Sequence, residues 1–522
     1  MKTVQIYDTT LRDGMQGIEI SYSLQDKIII SRKLDEMKID YIEGGFPQSS
    51  EKEAEFFKQL TKKKLIHAKL VAFGPTRKPK VKAKDDEHIQ ALLESEAPCV
   101  TVVGKAWKAH VKQVLKTELL ENLAMIHDSI HYLVSRGREV FFDLEHFFDG
   151  YKDDPEYAVK VLKTGTEAGA EVLVLCDTNG GTLPSELIRI MEELPQKELK
   201  PLGVHFHNDA GVATANSLLA LDHGAVHVQG TINGWGERTG NANLCAIIPN
   251  ICLKTDYRVS VCERLTGLTS LSRFVAEKAN IIPDKRQPYV GDASFSHKAG
   301  QHADVITKAP ELMEHIDASL VGNERQILLS GLAGKSTIIK KTARYGDFDK
   351  DSHTIRELLR ILKNKETDGY EYEAAEASFD ILIRKTIERY TPLLFLKNYH
   401  LESFKTAETP SKTVGRLFLS SRGQELMGAA VGVGPVETLD KALRDALLPI
   451  QPFLSKISLI DYRVRVLNPQ YATAAKVRVF ITSTDHKRSW DTVGVSENIV
   501  EASWEALVDS LDYYYNNFVL EP

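Results

Sequence analysis

Short runs of β-branched and aromatic residues recur through the first 265 positions, each followed by a polar turn and a stretch with helical spacing. Eight stand out, at 4–7, 41–43, 69–73, 99–103, 140–144, 172–176, 203–207 and 226–230. Between them, segments such as 24–37 (LQDKIIISRKLDEM) and 155–169 (PEYAVKVLKTGTEAG) repeat apolar residues every three to four positions and carry Gly or Lys near their ends. That spacing predicts amphipathic helices. Strands alternating with helices form a parallel sheet, because each helix returns the chain to start the next strand on the same side. Eight such units in about 250 residues predict a closed (β/α)8 barrel. A doubly wound open sheet is the alternative, since counting strands does not show closure.

From 266 to 400 the pattern turns mainly helical and more polar, as in 354–364 (TIRELLRILKN) and 373–390, and this stretch is expected to be a helical linker region. Positions 402–413, rich in Thr, Ser and Lys with one Pro, suggest a boundary. The remaining chain, 401–522, contains a repeat. VGVGPVETLDKALRDAL at 431–447 resembles VGVSENIVEASWEALVDSL at 493–511, 62 positions later. Strand-like text precedes each copy, at 414–421 in one case and at 460–467 and 474–482 in the other. The predicted organisation is a barrel over 1–265, a linker over 266–400 and an α/β domain with an internal repeat over 401–522. This last domain reads either as a tandem α/β structural domain or, since a repeat placed after a complete barrel is not needed for barrel chemistry, as a pseudo-symmetric regulatory module.

Composition narrows the picture. At 522 residues the chain exceeds one core, and with 43% hydrophobic residues it can fill several. Sixty-six Lys+Arg against 72 Asp+Glu leave a net charge of −6, without the clustered positive excess that nucleic acid requires. The N-terminus has no apolar run after its first Lys, and no stretch of about 18 apolar residues occurs, so neither a signal peptide nor a membrane span is expected. Five scattered cysteines without a CxxC pair read as free thiols in a reducing cytoplasm.

Chemistry gathers where a barrel would place it. Side chains at the C-terminal ends of barrel strands converge on one site. At those positions stand DTTLRDGMQ (8–16), Glu43, Glu145, DTNGG (177–181), HFHND (205–209) and NGWGERTGNAN (233–243). His205 and His207, two apart on a strand, face the same way and suit two imidazole ligands of one metal. A carboxylate from Asp8 or Asp13 and an amide from Asn241 would complete a site for a divalent cation that binds an oxygen-rich substrate as a Lewis acid. Without a Cys cluster, structural zinc is not expected. Arg12 offers a fixed positive fork for a carboxylate or a developing alkoxide, Glu145 a general base, and Thr178 a hydroxyl for a substrate carboxylate. GLAGKST (331–337) lacks the first Gly of a phosphate loop, GWGERTG (234–240) has one residue too many for a dinucleotide fingerprint, and His127 with His131 reads as a solvated helix face.

Taken together, DTTLRDGMQ, HFHND and NGWGERTGNAN resemble the 2-isopropylmalate, homocitrate and citramalate synthase family, metal-dependent barrel enzymes that condense acetyl-CoA with a 2-oxo acid. AFGPTRKP, VVGKAW, DLEHFFDGY, CDTNGGTLP, HIDASLVGNER and the tail WDTVGVSENIVEASWEAL extend the likeness along the chain and are most similar to the longer, citramalate-forming members. The resemblance implies that Asp13, His205 and His207 bind a divalent cation (zinc, manganese or magnesium), with Asn241 completing or supporting the sphere. It implies that Arg12 and Gln16 contact the 2-oxo acid, that Thr178 meets its carboxylate, and that Glu145 lies near the reacting carbons. SHKAGQHAD (296–304) is similar to the segment whose His, here His302, assists deprotonation of the acetyl-CoA methyl, commonly across a dimer interface. Met313 departs from the family, which has Tyr before EHID, so no tyrosine acid is expected there. The C-terminal repeat resembles the family's regulatory domain, which dimerises and binds the pathway end product. The implied reaction joins acetyl-CoA, pyruvate and water to give (R)-citramalate in isoleucine biosynthesis. A 2-isopropylmalate synthase and a non-catalytic metabolite sensor are the alternatives.

Overall fold

The computed structural model describes residues 2–520, apart from 63, 280, 282, 299–304, 307–308, 329–341, 347, 350–351, 373–374, 408, 468–474 and 486–487. Eight parallel strands close into a barrel: β1 (Gln5–Asp8), β2 (Tyr41–Gly45), β3 (Lys69–Pro75), β4 (Cys99–Lys105), β5 (Glu139–Glu145), β6 (Val172–Asp177), β7 (Leu202–Phe206) and β8 (Ala225–Gly230). Each of the eight predicted runs contributes a strand. The pairing of β1 with β8, Gln5 opposite His227 through Asp8 opposite Gly230, decides for the closed barrel over the open sheet. Helices return the chain between strands, and their ends carry the expected signals. Ser23 and Asp26 form a capping box at the helix Leu24–Glu36, and Pro155 opens the helix Pro155–Ala168, which stops at the left-handed Gly169.

The period-two alternation of the strands sorts the barrel interior into layers. Tyr7, Tyr41, Val71, Cys99, Phe141, Val172, Val174 and Cys176 form one buried interior cluster. Toward the C-terminal ends the inward positions turn polar: Glu43, Thr101, Asp143, His205 and Gln229 are all buried. This polar layer is the floor of the site.

The chain resolves into two compact units, Met1–Ser296 with Ile316–Arg325, and His297–His315 with Gln326–Pro522. After the barrel comes a short pair of strands, β9 (Ser296–Lys298) and β10 (Gln326–Leu328). The helical segments expected near 354–364 and 373–390 appear as His353–Asp368 and Glu376–Thr386. Two antiparallel three-stranded sheets follow, β11 (Phe395–Phe404), β12 (Lys412–Ser421) and β13 (Gln424–Gly432), then β14 (Ser458–Val466), β15 (Val477–Thr484) and β16 (Ser489–Ser496). Each sheet is completed by a helix, Pro435–Leu447 in the first and Ile499–Tyr514 in the second, so the repeat is a βββα unit made twice. Gly432 and Gly494, 62 positions apart, lie at the joints. A Cβ on Gly432 would sit 2.6 Å from Thr438 Oγ1, and one on Gly494 2.0 Å from the Ala502 carbonyl. Only glycine lets the helix pack that closely. The stretch 402–413, which reads as a boundary, connects β11 to β12 inside the first sheet. A polar hairpin has the same composition as a linker.

One cysteine assignment is corrected. Cys252 and Cys262 form a disulfide with Cα atoms 5.5 Å apart, joining the helix Leu244–Lys254 to the turn Ser260–Gly267. The chain reverses between them, and spacing alone did not reveal that. Cys99, Cys176 and Cys245 are free and buried, as expected. Closing so short a loop should stabilise the barrel unit by about 3 kcal/mol in the chain-entropy view. Cys262→Ser, or reduction of the parent, is expected to lower the melting temperature of that unit. A calorimetric scan with and without reductant checks this.

Candidate active site and metal centre

The site forms where β1, β7 and the loop after β8 meet. Beyond β1 the chain turns back sharply, with Thr9 N donating to the Gly230 carbonyl at 2.8 Å and Ile232 N to Thr10 Oγ1 at 2.8 Å. This ties the 8–16 segment to β8 and points Arg12 and Asp13 over the barrel. His205 ends β7, and a bridge pairs His207 with Asn241. Between them, Gly236 lets the loop after β8 close on the site, because a Cβ there would lie 2.0 Å from Asn241 Nδ2.

Asp13 Oδ2 lies 3.3 Å from His205 Nε2 and 3.8 Å from His207 Nε2. Asp13, His205 and His207 are all buried, and one ligand atom from each falls within 4.8 Å of the others. Asp13 Oδ1 and Asn241 Oδ1 are buried with no hydrogen-bond partner among the described residues. Buried lone pairs left unmatched in this way are costly unless something occupies them. A carboxylate, two imidazoles and an amide oxygen are the donors a divalent cation accepts. The residues present fit the group.

Electrostatics agree. Burial alone would raise Asp13, but the Arg12 guanidinium and the two imidazoles hold it well below the usual carboxylate range. Burial, helped by His205, lowers His207 to about 4, which leaves a neutral ring able to donate a lone pair. Burial opposes the charge of Arg12, yet Glu43 and Asp13 raise its affinity for the proton above the ordinary arginine value. Arg12 Nε donates to Glu43 Oε2 at 2.5 Å, Nη1 lies 3.4 Å from Asp13 Oδ2, and the guanidinium stacks 4.1 Å from the Phe73 ring centre. Glu43 in turn accepts from the Tyr7 hydroxyl at 2.7 Å, and that hydroxyl also meets Thr101 Oγ1 at 2.7 Å. Arg12 is thus clamped from below.

The other expected site residues are spread over the barrel mouth. Thr178, just after β6, accepts from His146 N at 2.9 Å through its hydroxyl oxygen, while its carbonyl accepts from Arg238 at 2.7 Å. Arg238 also pairs with Asp209 at 2.8 Å, which links the loops after β6, β7 and β8. Glu145, at the end of β5, forms an ion pair with Lys105 from the end of β4. Gln16 ends a short turn, Gly14–Gln16, and is exposed. His302 lies outside the described residues, as does 331–337. The pair His127 and His131 stands on the helix Leu119–Ser135, rings stacked at 5.6 Å, away from strand ends.

Sequence reasoning missed Asp143, Gln229, Tyr7 and the clamping role of Glu43. Burial, with Glu43 next, pushes Asp143 up to about 7, and burial also pushes Asp8 up to about 7. Asp8 accepts from Thr10 N and Thr10 Oγ1 rather than joining the imidazoles, so of the two carboxylates considered it is Asp13 that meets them.

Residues 3–275 match the HMGL-like family, 289–369 the homocitrate synthase post-HMGL domain-like family, and 373–515 the LeuA allosteric (dimerisation) domain. The chain is 47% identical to an (R)-citramalate synthase of Aquifex aeolicus, over 98% of this chain and 97% of the relative. It is 45% identical to one of Geobacter sulfurreducens, over 98% of each. A probable 2-isopropylmalate synthase of Methanopyrus kandleri is 31% identical, over 97% of each.

Proposed function

The chain belongs to the HMGL-like family, among relatives that are (R)-citramalate synthases, and from that premise we propose that it condenses acetyl-CoA with pyruvate and water to give (R)-citramalate and CoA. The observation that carries the choice of pyruvate is the gap in similarity. Five (R)-citramalate synthase relatives stand at 42–47% identity over nearly the full length, whereas two probable 2-isopropylmalate synthases stand at 30–31%, alongside one putative (R)-citramalate synthase at 31%. We place the step in isoleucine biosynthesis and the enzyme in the cytoplasm. Among the described residues no helix is long and apolar enough to cross a membrane.

In this reading Asp13, His205 and His207 hold a zinc, manganese or magnesium ion, and Asn241 completes the sphere. When bound, the cation supplies Lewis-acid polarisation of the ketone. Arg12, fixed by Glu43, lies ready to stabilise negative charge as it builds on the ketone oxygen. Thr178, whose hydroxyl oxygen already accepts from His146, can donate its proton to the substrate carboxylate, and Gln16 reaches the same acid from the edge. Glu145 or His302 takes the proton from the thioester methyl, the new carbon–carbon bond forms, and water releases CoA. Glu145→Gln and His302→Ala in a solvent-deuterium exchange assay of acetyl-CoA separate the two bases. Loss of exchange is expected in the variant that removes the base, and full exchange clears that residue.

The C-terminal unit supports a homodimer under amino-acid feedback. It matches the LeuA dimerisation domain. One face of its first sheet carries the cross-strand pairs Val414–Val431 and Phe418–Met427, exposed in the single chain. The function is tested by thiol release from acetyl-CoA with a panel of 2-oxo acids. Pyruvate is expected to exceed 2-oxoisovalerate in kcat/KM by about 10-fold or more, the scale a difference of a few methyl groups provides. Isoleucine or leucine added to the same assay tests feedback. Silence with every acid would leave only the metabolite-sensing alternative.

A further inference from the structure

Two histidines approach Asp13, but only one has its other ring nitrogen engaged. His205 Nδ1 lies 2.9 Å from Gln229 Oε1, and Gln229 Nε2 donates to Asp143 Oδ1 at 3.1 Å. His207 Nδ1 has no hydrogen-bond partner among the described residues. The three members come from three strands. His205 on β7 and Gln229 on β8 are register partners, and Asp143 reaches them from β5 across the barrel interior. Gln229 is fully buried, so its amide is not in contact with solvent.

The direction of this chain has a chemical consequence. A glutamine side chain can present either its carbonyl or its amino group to a neighbour. Asp143 accepts the amino group and so turns the carbonyl toward His205. A carbonyl oxygen only accepts, so His205 must carry its proton on Nδ1. In the neutral ring the lone pair is then on Nε2, the atom that faces Asp13 Oδ2 at 3.3 Å. A histidine binds a cation through the nitrogen without the proton.

We propose that Gln229 and Asp143 are positioning residues that fix the tautomer and ring orientation of His205 for cation binding, leaving His207 as the adjustable imidazole. The proposal rests on the reading that Asp13, His205 and His207 hold a divalent cation. It gives a reason for the pairing of Asp143 on β5 with Gln229 on β8 within the polar layer.

The test is Mn²⁺ affinity of the full-length protein, stripped with EDTA and titrated in competition with a chromophoric chelator, with a thermal melt of each variant alongside. Gln229→Leu is expected to weaken Mn²⁺ binding by about 10- to 100-fold. The exchange variant Asp143→Asn/Gln229→Glu keeps the charge of the pair and reverses their roles. The amide introduced on β5 donates to the carboxylate introduced on β8, which still accepts from His205 Nδ1. The exchange variant is therefore expected to recover most of the about 10- to 100-fold loss seen in Gln229→Leu. Parent-like affinity in Gln229→Leu would overturn the proposal. So would an exchange variant that melts like the parent yet binds as weakly as Gln229→Leu. If the parent itself takes up no Mn²⁺, the metal-site reading fails and the proposal falls with it; parental binding with an indifferent Gln229→Leu sinks the proposal alone.

Discussion

Asp13→Ala is expected to leave the protein unable to retain Mn²⁺ and to cut thiol release by at least about 10³-fold. Asp13 is the one carboxylate among the ligand atoms, lies within 3.8 Å of both imidazoles, and also stands against Arg12. Removing it takes away the charge that would balance the cation and leaves two neutral rings and an amide. Loss of a single preorganised donor in an oxyanion site costs roughly 10²–10³ in kcat, and losing the ion should exceed that. The fold should survive, because Arg12 keeps its pairing with Glu43. Metal content by mass spectrometry and CoA release in the same preparation check the result. The parent treated with EDTA should match the variant, and added Mn²⁺ should rescue only the parent. A variant that keeps both metal and activity would remove the site from the 8–16 segment altogether.

Much of this was legible in the chain. All eight strands were visible because a strand buried on both faces reads as an apolar run, and the polar clusters at their C-terminal ends marked the mouth. His205, His207, Asp13 and Arg12 were found by that logic and are brought together. Asp143 and Gln229 escape that logic because each lies within its strand and not in the polar cluster that follows it. The usable signal was parity: Asp143 stands two before Glu145 and so shares its inward face. The first repeat unit was half seen. Most positions of β11 are exposed or partly exposed, so its apolar alternation is weak and the strand fell within the stretch read as helical. The disulfide needed the reversal between residues 252 and 262, which no local pattern encodes.

Arg12→Leu should be the most damaging single change to stability and activity together. Glu43 is fully buried beneath the guanidinium, with Asp143 in the same polar layer. Deleting the arginine strands that carboxyl in the barrel with only the Tyr7 hydroxyl for support, a loss on the order of 3–5 kcal/mol. It also removes the positive fork proposed to face the ketone, worth roughly another 10²–10³ in kcat. The two effects can be separated. Arg12→Leu/Glu43→Leu removes both partners, so the melting temperature should recover while thiol release does not, since replacing a whole buried ion pair is far cheaper than breaking one. Arg12→Lys, which keeps charge but loses the planar fork and the stack on Phe73, should fall between in stability and remain poor in turnover. Denaturant melts and thiol release on the three variants decide it; full activity in the double variant would take Arg12 out of the chemistry.

The placement of Asp13 on one side of the β1–β8 closure and of His205, His207 and Asn241 on the other also bears on how the protein is made. A chain emerging from the ribosome carries Asp13 from the start but cannot assemble the cluster until β7, β8 and the loop after them have been delivered. In the proposed metal site, ion binding would therefore report that the seam has shut. Because any ligand that binds only the closed form stabilises it in proportion to the logarithm of its concentration, metal supply would act on the yield of finished barrels as well as on their turnover. Starved of the ion, nascent barrels would linger ajar at that seam, exposed to proteases at the two edges that should have met.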